Sequence, residues 1–256
     1  MKNLITMQFY GELNDLLPFE RRNINFDYKI SESGSVKDTI EALGIPHTEV
    51  DVILVNHQSV DFSYKLQAGD QVLIYPANAI LDIEPVIRLQ PAPLKHTRFI
   101  LDTHLGRLAA YLRMLGFDTL YRNDYHDSTL SNVSVTESRI LLTCDRQLLM
   151  RKAIQYGYYV RSRKPRKQLI EVVKHFNLSR SLHPFTRCMR CNGVIHRVDK
   201  ALVQTHLQPR TRRYYDVFWQ CPDCKKVYWE GSHYIRMQKL IEKIKLQSMK
   251  DYETKS

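Results

Sequence analysis

Apolar and polar residues alternate from Asn23 to Ile30, the period of two expected of a half-buried strand. Ser35 is placed to cap a helix running to Leu43, and Gly44 with Pro46 ends it. Two more strands are expected at Val52–Val55 and Gln71–Tyr75, with a turn at Asn56-His57-Gln58 after the first. The order is then strand, strand, helix, strand, strand over residues 1–78. Residues 79–97 hold Pro85, Pro91 and Pro93 among mixed residues and read as a linker. From Arg98 the period switches. Arg98–Leu101, Phe117–Tyr121, Ile140–Thr143 and Gly157–Val160 read as strands. Between and after them His104–Leu115, Ser128–Ser138, Asp145 to Gln155 and Arg166–Phe176 read as helices, the first stopped by Gly116. Such alternation implies an α/β fold, a parallel sheet with flanking helices, over residues 98–182. Residues 183–248 change texture again. Strand-like runs Gly193–Val198, Tyr214–Trp219 and Lys226–Trp229 accompany two cysteine pairs, and Ser232 caps a basic helix of about 15 residues.

Asp102, Asp124 and Asp145 each fall just past one of the predicted parallel strands. Carboxyl ends of parallel strands lie along one edge of a sheet, where open α/β folds place ligands. Carboxylates gathered there repel one another unless a cation joins them, and a hard ion such as Mg²⁺ takes oxygen ligands. The same positions also suit helix caps, Asp145 above all, and Asp127 reads either as a cap or as a further ligand. Asp118, at the other end of its strand, reads as a turn residue.

Charge sharpens this. Residues 1–97 hold 8 Lys/Arg and 13 Asp/Glu, and residues 98–256 hold 30 and 14. The basic character thus belongs to the part with the aspartates, which suits a polyanionic substrate. Arg107 lies one turn into the helix after Asp102, and Arg161-Ser162-Arg163-Lys164-Pro165-Arg166-Lys167 is the densest charge run. Either could hold phosphates, or pair with carboxylates and solvent. Tyr214, Tyr215, Phe218, Trp219, Tyr228 and Trp229 either stack bases or form a small core.

The chain has five cysteines, four of them in Cys188-x-x-Cys191 and Cys221-x-x-Cys224. Two such knuckles complete the tetrahedral sulfur site of a closed structural zinc. Cys144 is left over and reads as a small buried residue at a strand end. No run of about 18 apolar residues occurs and Met1-Lys2-Asn3-Leu4 lacks a signal peptide's apolar region, so the expectation is a cytoplasmic protein without a membrane span.

The stretches Phe99-Ile100-Leu101-Asp102-Thr103-His104-Leu105-Gly106-Arg107-Leu108-Ala109, Leu112-Arg113-Met114-Leu115-Gly116-Phe117-Asp118 and Ile140-Leu141-Leu142-Thr143-Cys144-Asp145-Arg146 closely resemble the Mut-seven C-terminal RNase family. The cysteine pairs and Tyr228-Trp229-Glu230-Gly231-Ser232-His233 match that family's zinc-ribbon end. The resemblance implies a PIN-like nuclease fold in which Asp102, Asp124, Asp127 and Asp145 bind Mg²⁺ or Mn²⁺. It also implies an RNA substrate, tRNA and rRNA among the candidates, with Arg107, Arg113, Arg146, Arg161, Arg163, Lys164, Arg166 and Lys167 as the expected contacts. Cys144 stands where the family usually has arginine, and the stretch after Asp127 is poor in acidic residues. The first 78 residues resemble a β-grasp, ubiquitin-like module of the sulfur-carrier kind, a module the family commonly carries in front. Tyr75-Pro76-Ala77-Asn78 replaces the Gly-Gly tail a carrier needs. The expectation is a metal-dependent ribonuclease hydrolysing RNA phosphodiesters; the alternative is an RNA-binding protein with a vestigial site.

Overall fold

The computed structural model describes residues 3–30, 34–77 and 85–253. In chain order the strands and α-helices are β1 (Leu4–Phe9), β2 (Phe26–Lys29), α1 (Val36–Ala42), β3 (Val50–Val55), β4 (Gln58–Val60), β5 (Gln71–Pro76), β6 (Arg98–Leu101), α2 (Gly106–Met114), β7 (Asp118–Tyr121) and α3 (Asp127–Thr136). There follow β8 (Ile140–Thr143), α4 (Arg146–Leu149), β9 (Gly157–Tyr159), α5 (Pro165–His175), β10 (His196–Val198), α6 (Lys200–Val203), α7 (Pro209–Tyr214), β11 (Phe218–Gln220), β12 (Val227–Tyr228) and α8 (Ser232–Glu253). Residues 78–84, the last residue of the expected first domain and the start of the expected linker, lie outside the described residues. Two compact units result, Met1–His96 with His126–Tyr159, and Thr97–Tyr125 with Val160–Ser256. No helix among the described residues is long and apolar enough to cross a membrane.

In the first unit five strands form a sheet of order β2-β1-β5-β3-β4. β1 and β5 are parallel and every other pair is antiparallel, the β-grasp arrangement. Alternation in β1 buries Ile5, Met7 and Phe9 against Leu13, Val36, Ile40, Ile53, Val72 and Ile74. Ser35 does cap α1, through a full capping box in which Asp38 accepts from the Ser35 backbone N–H at 2.9 Å. Asn56 and His57 have φ of 49° and 68°, the left-handed pair that a tight β3–β4 hairpin requires. The strand expected from Asn23 begins only at Phe26, because Asn23 turns at φ 58° and donates its N–H to the Asn14 side chain. Leu4–Phe9 is the first strand of the expected order, for which the sequence sets no bounds. Of the proline-bearing segment, Arg88 to Gln90 is tied to β3. Arg88 pairs with the buried Asp51 at 2.7 Å, and the Gln90 amide donates to Val50 O at 2.6 Å and Thr48 O at 2.9 Å.

The rest of that unit is α3, β8, α4 and β9, with β8 and β9 parallel. The helix expected from Asp145 to Gln155 stops at Leu149. Leu148, Leu149 and Ile154 are all buried, and a continued helix would carry Ile154 about 120–140° away from the other two. A turn closed by Ile154 N–H on Arg151 O (2.9 Å) brings it back inward. This segment is fastened to the β-grasp part. Arg146 donates to Leu16 O at 2.7 Å, Tyr159 N–H to Glu49 at 2.7 Å, and His47 Nε2 lies 2.9 Å from Ile154 O. Cys144, expected to be buried, is exposed: β8 ends at Thr143, so its side chain falls outside the buried run.

In the second unit β6 and β7 are parallel and α2 covers them with Leu108, Ala109 and Leu112. Phe99 packs edge-on against Phe117 and Phe176, joining β6 to the end of α5. Gly116, at φ 97°, ends α2 where the chain returns: a Cβ there would lie 2.2 Å from His183 O. His183 and Phe185 donate backbone N–H groups to Leu115 O and Met114 O at 3.0 and 2.9 Å. β10, β11 and β12 make an antiparallel ribbon. The strand expected at Tyr214–Trp219 is divided: Pro209 opens α7, which takes Tyr214, and β11 starts at Phe218. The basic terminal helix, α8, has 22 residues and buries Ile241 and Ile244.

Candidate metal centre and active-site aspartates

Cys188, Cys191, Cys221 and Cys224 offer four sulfur atoms that lie within 4.8 Å of one another. Each pair sits on a tight knuckle. Asn192 N–H closes the first on Cys188 O at 2.9 Å, and Lys225 N–H closes the second on Cys221 O at 3.0 Å; both residues have positive φ. Gly193 is confined between the knuckles, since a Cβ there would meet Asp223 at 2.1 Å and Cys221 Sγ at 3.0 Å.

The thiols oppose one another electrostatically. Burial pushes Cys188 up, but the Tyr228 hydroxyl at 3.1 Å and the backbone N–H groups of Cys191 and Arg190 outweigh it and bring it down to about 7. Burial and its sulfur neighbours push Cys191 up to about 12, and burial raises Cys224 as well. Four thiolates within 4.8 Å of one another repel, and a dication removes the conflict. The set leaves no open position once four sulfurs bind, so the cluster can hold zinc as a closed, structural centre.

The first knuckle is tied to the nuclease-like strands. Asn192 Oδ1 accepts from Thr119 N–H at 3.0 Å, and its amide donates to Asp118 at 2.8 Å, so one side chain serves β7 as a partner strand would. Arg113, expected to contact RNA, is 4% exposed. Its guanidinium donates to Thr119 O at 2.9 Å and to Met189 O and Arg190 O at 3.3 and 2.9 Å. Buried and so engaged, it braces the knuckle and cannot reach a phosphate. Asp118, expected in a turn, is the first residue of β7 and takes part in the same tie. The contribution of Asn192 was not read from the sequence. The signal was an asparagine directly after Cys-x-x-Cys, suited both to a left-handed turn and to two hydrogen bonds.

The aspartates occupy different local settings. Asp102 follows β6 and caps the turn Thr103–Leu105, accepting from Thr103 N–H at 2.6 Å. Tyr121 locks that turn by donating to Thr103 O at 2.6 Å, and Gly106 leaves room for its ring. Asp145 follows β8, is exposed, and caps α4 through Gln147 N–H at 2.8 Å. Asp124 is exposed and gripped by the fork of Arg122 at 2.9 and 2.7 Å. Asp127 opens α3 and meets Arg151 at 3.1 Å.

The basic residues likewise divide. Arg107 is exposed on the first turn of α2. Arg146, expected at the RNA, instead donates to Leu16 O and lies 5.1 Å over the Tyr159 ring. In the run before α5, the Glu171 carboxylate accepts the N–H groups of Arg161 and Ser162 at 2.7 and 3.0 Å, which fixes the loop's backbone. Arg163, Lys164, Arg166 and Lys167 stand exposed around it, while Arg161 is partly buried.

The Mut7-C RNAse domain model matches residues 97–241, and the Mut7-C ubiquitin model matches residues 2–82. Among solved structures, H. volcanii small archaeal modifier protein 1 matches over 28% of this chain and 95% of its own, at 14% identity and a TM-score of 0.24. No curated protein matches the chain.

Proposed function

The chain belongs to the Mut7-C RNAse family, and on that footing we propose that it is a metal-dependent ribonuclease that hydrolyses RNA phosphodiester bonds with Asp102, Asp124, Asp127 and Asp145. The observation that carries this reading is the repeated placement of Asp102 and Asp145. Each is fixed as a cap just beyond a buried strand, β6 or β8, and each remains partly or wholly exposed. Carboxylate oxygens are the donors Mg²⁺ and Mn²⁺ prefer. Such an ion, when bound, lowers the pKa of water and offsets charge developing on the phosphate. The chain's own cations position the substrate: Arg107 can fork onto a phosphate, and the ridge of Arg163, Lys164, Arg166 and Lys167 can follow the backbone. Zn²⁺ in the four-cysteine centre holds the ribbon, in keeping with a reducing, cytoplasmic setting.

The test is cleavage of end-labelled RNA by the zinc-loaded protein with Mg²⁺ or Mn²⁺. Asp102→Asn and Asp145→Asn should each lower the rate by roughly 10²–10³-fold. Wild-type rates in both variants would defeat the proposal. A second reading, RNA binding without cleavage, is favoured by the ion pairs of Asp124 with Arg122 and Asp127 with Arg151, in which those carboxylates already have cationic partners. Tight, salt-dependent binding with no product in any divalent metal would establish it.

A further inference from the structure

We propose that the groove between α7 and the start of α8 on the zinc ribbon binds an unpaired RNA base, stacked on Trp229. The proposal rests on RNA being the substrate. The groove has a volume of about 810 Å³, within the size range of small-ligand sites. Tyr214, Tyr215, Tyr228, Trp229 and Tyr234 are among its walls.

Three observations select the occupant. The first is the pose of the indole. Gly231 is buried against it, and a Cβ there would lie 2.8 Å from Trp229 Nε1 and 3.6 Å from the Tyr215 hydroxyl. Trp229 therefore rests on bare backbone at one side and is 37% exposed, a large apolar ring held in place and offered to solvent. Secondly, Tyr214 is 67% exposed with the Arg213 guanidinium 5.6 Å from its ring centre, a cation beside a second stacking surface. The third is charge. Arg210, Lys226 and His233 line this groove and no carboxylate does, whereas the neighbouring 260 Å³ hollow carries Glu230. Residues 183–246 as a whole hold 13 Lys/Arg and 5 Asp/Glu. Aromatic faces with a cationic rim match a nucleotide, whose base is flat and whose phosphate is anionic. In a duplex the base faces are already stacked, so the site selects unpaired strands.

The experiment uses full-length, zinc-loaded protein without Mg²⁺, so that binding is read apart from cleavage. The probes are a fluorescent oligouridylate and an RNA duplex of equal length, followed by anisotropy. Trp229→Ala should weaken oligouridylate binding about tenfold while changing duplex binding less than about twofold, and Trp229→Phe should retain most of the affinity. In Trp219→Phe protein, which leaves Trp229 as the one tryptophan, oligouridylate should quench the emission. Unchanged oligouridylate affinity in Trp229→Ala would overturn the proposal and point to a protein segment as the occupant. Equal loss on both probes, or no quenching at saturation, would also overturn it. Should Trp229→Ala fail to fold, the quenching and the Phe variant decide. Absence of cleavage leaves this binding intact and counts against the nuclease reading alone.

Discussion

Arg107 and Arg113 lie on one helix six residues apart, about 240° round its axis, and so they cannot share a surface. Arg107 faces solvent, while Arg113 joins the buried stripe of Leu108, Ala109 and Leu112. Arg107→Ala should therefore reduce RNA cleavage roughly tenfold and leave the melting temperature unchanged, as kinetics and calorimetry would show. Arg113→Ala should instead cost about 2–4 kcal/mol in urea unfolding, because it strands the buried carbonyl of Thr119 and the part-buried carbonyls of Met189 and Arg190. Helical period makes that difference legible in the sequence, since Arg113 is four residues beyond Ala109, although both arginines were expected at the RNA. The partners of Arg146 were not, because Leu16 O lies 130 residues away in the chain.

Elements were legible where local chemistry fixes them. The α1 capping box follows from Ser35 and Asp38 alone, with the Ser35 side chain the first cause that holds the Asp38 carboxyl below its ordinary range. A folded pKa below the unfolded one gives stability that is present above about pH 4 and lost as pH falls through the folded value. Ser35→Ala should cost about 1 kcal/mol at neutral pH, and the Asp38 carboxyl, followed by NMR, should titrate nearer its ordinary value. An unmoved titration would remove the side-chain cap as its cause. Element ends were less legible. α4 stops because Ile154 has to turn inward, and the Tyr214–Trp219 run divides because α7 claims its first residue. Burial against distant residues, not local preference, sets both limits.

Over the whole molecule, the four-cysteine centre connects the ribbon to α2 and β7 through Asn192 and Arg113. Chelating the metal should therefore melt β10–β12, seen as a loss of tryptophan fluorescence order, and should also raise amide exchange in β7; added Zn²⁺ should reverse both. Full protection of β7 in the metal-free protein would show the tie to be dispensable. The β-grasp part shares a compact unit with residues 126–159 through His47, Glu49 and Arg146. A fragment spanning residues 97–256 should accordingly lose amide protection in β8 and β9, which native-like exchange there would contradict. The sequence by itself determined the two kinds of fold, the four-cysteine set, the places of Asp102 and Asp145 just past their strands and the basic half, because periodicity, knuckle spacing and charge are local properties of the chain. Tertiary structure alone decided that Arg146 is engaged at Leu16, Asp127 at Arg151 and Arg113 at the first knuckle, because those contacts depend on residues far apart in sequence meeting in the same space.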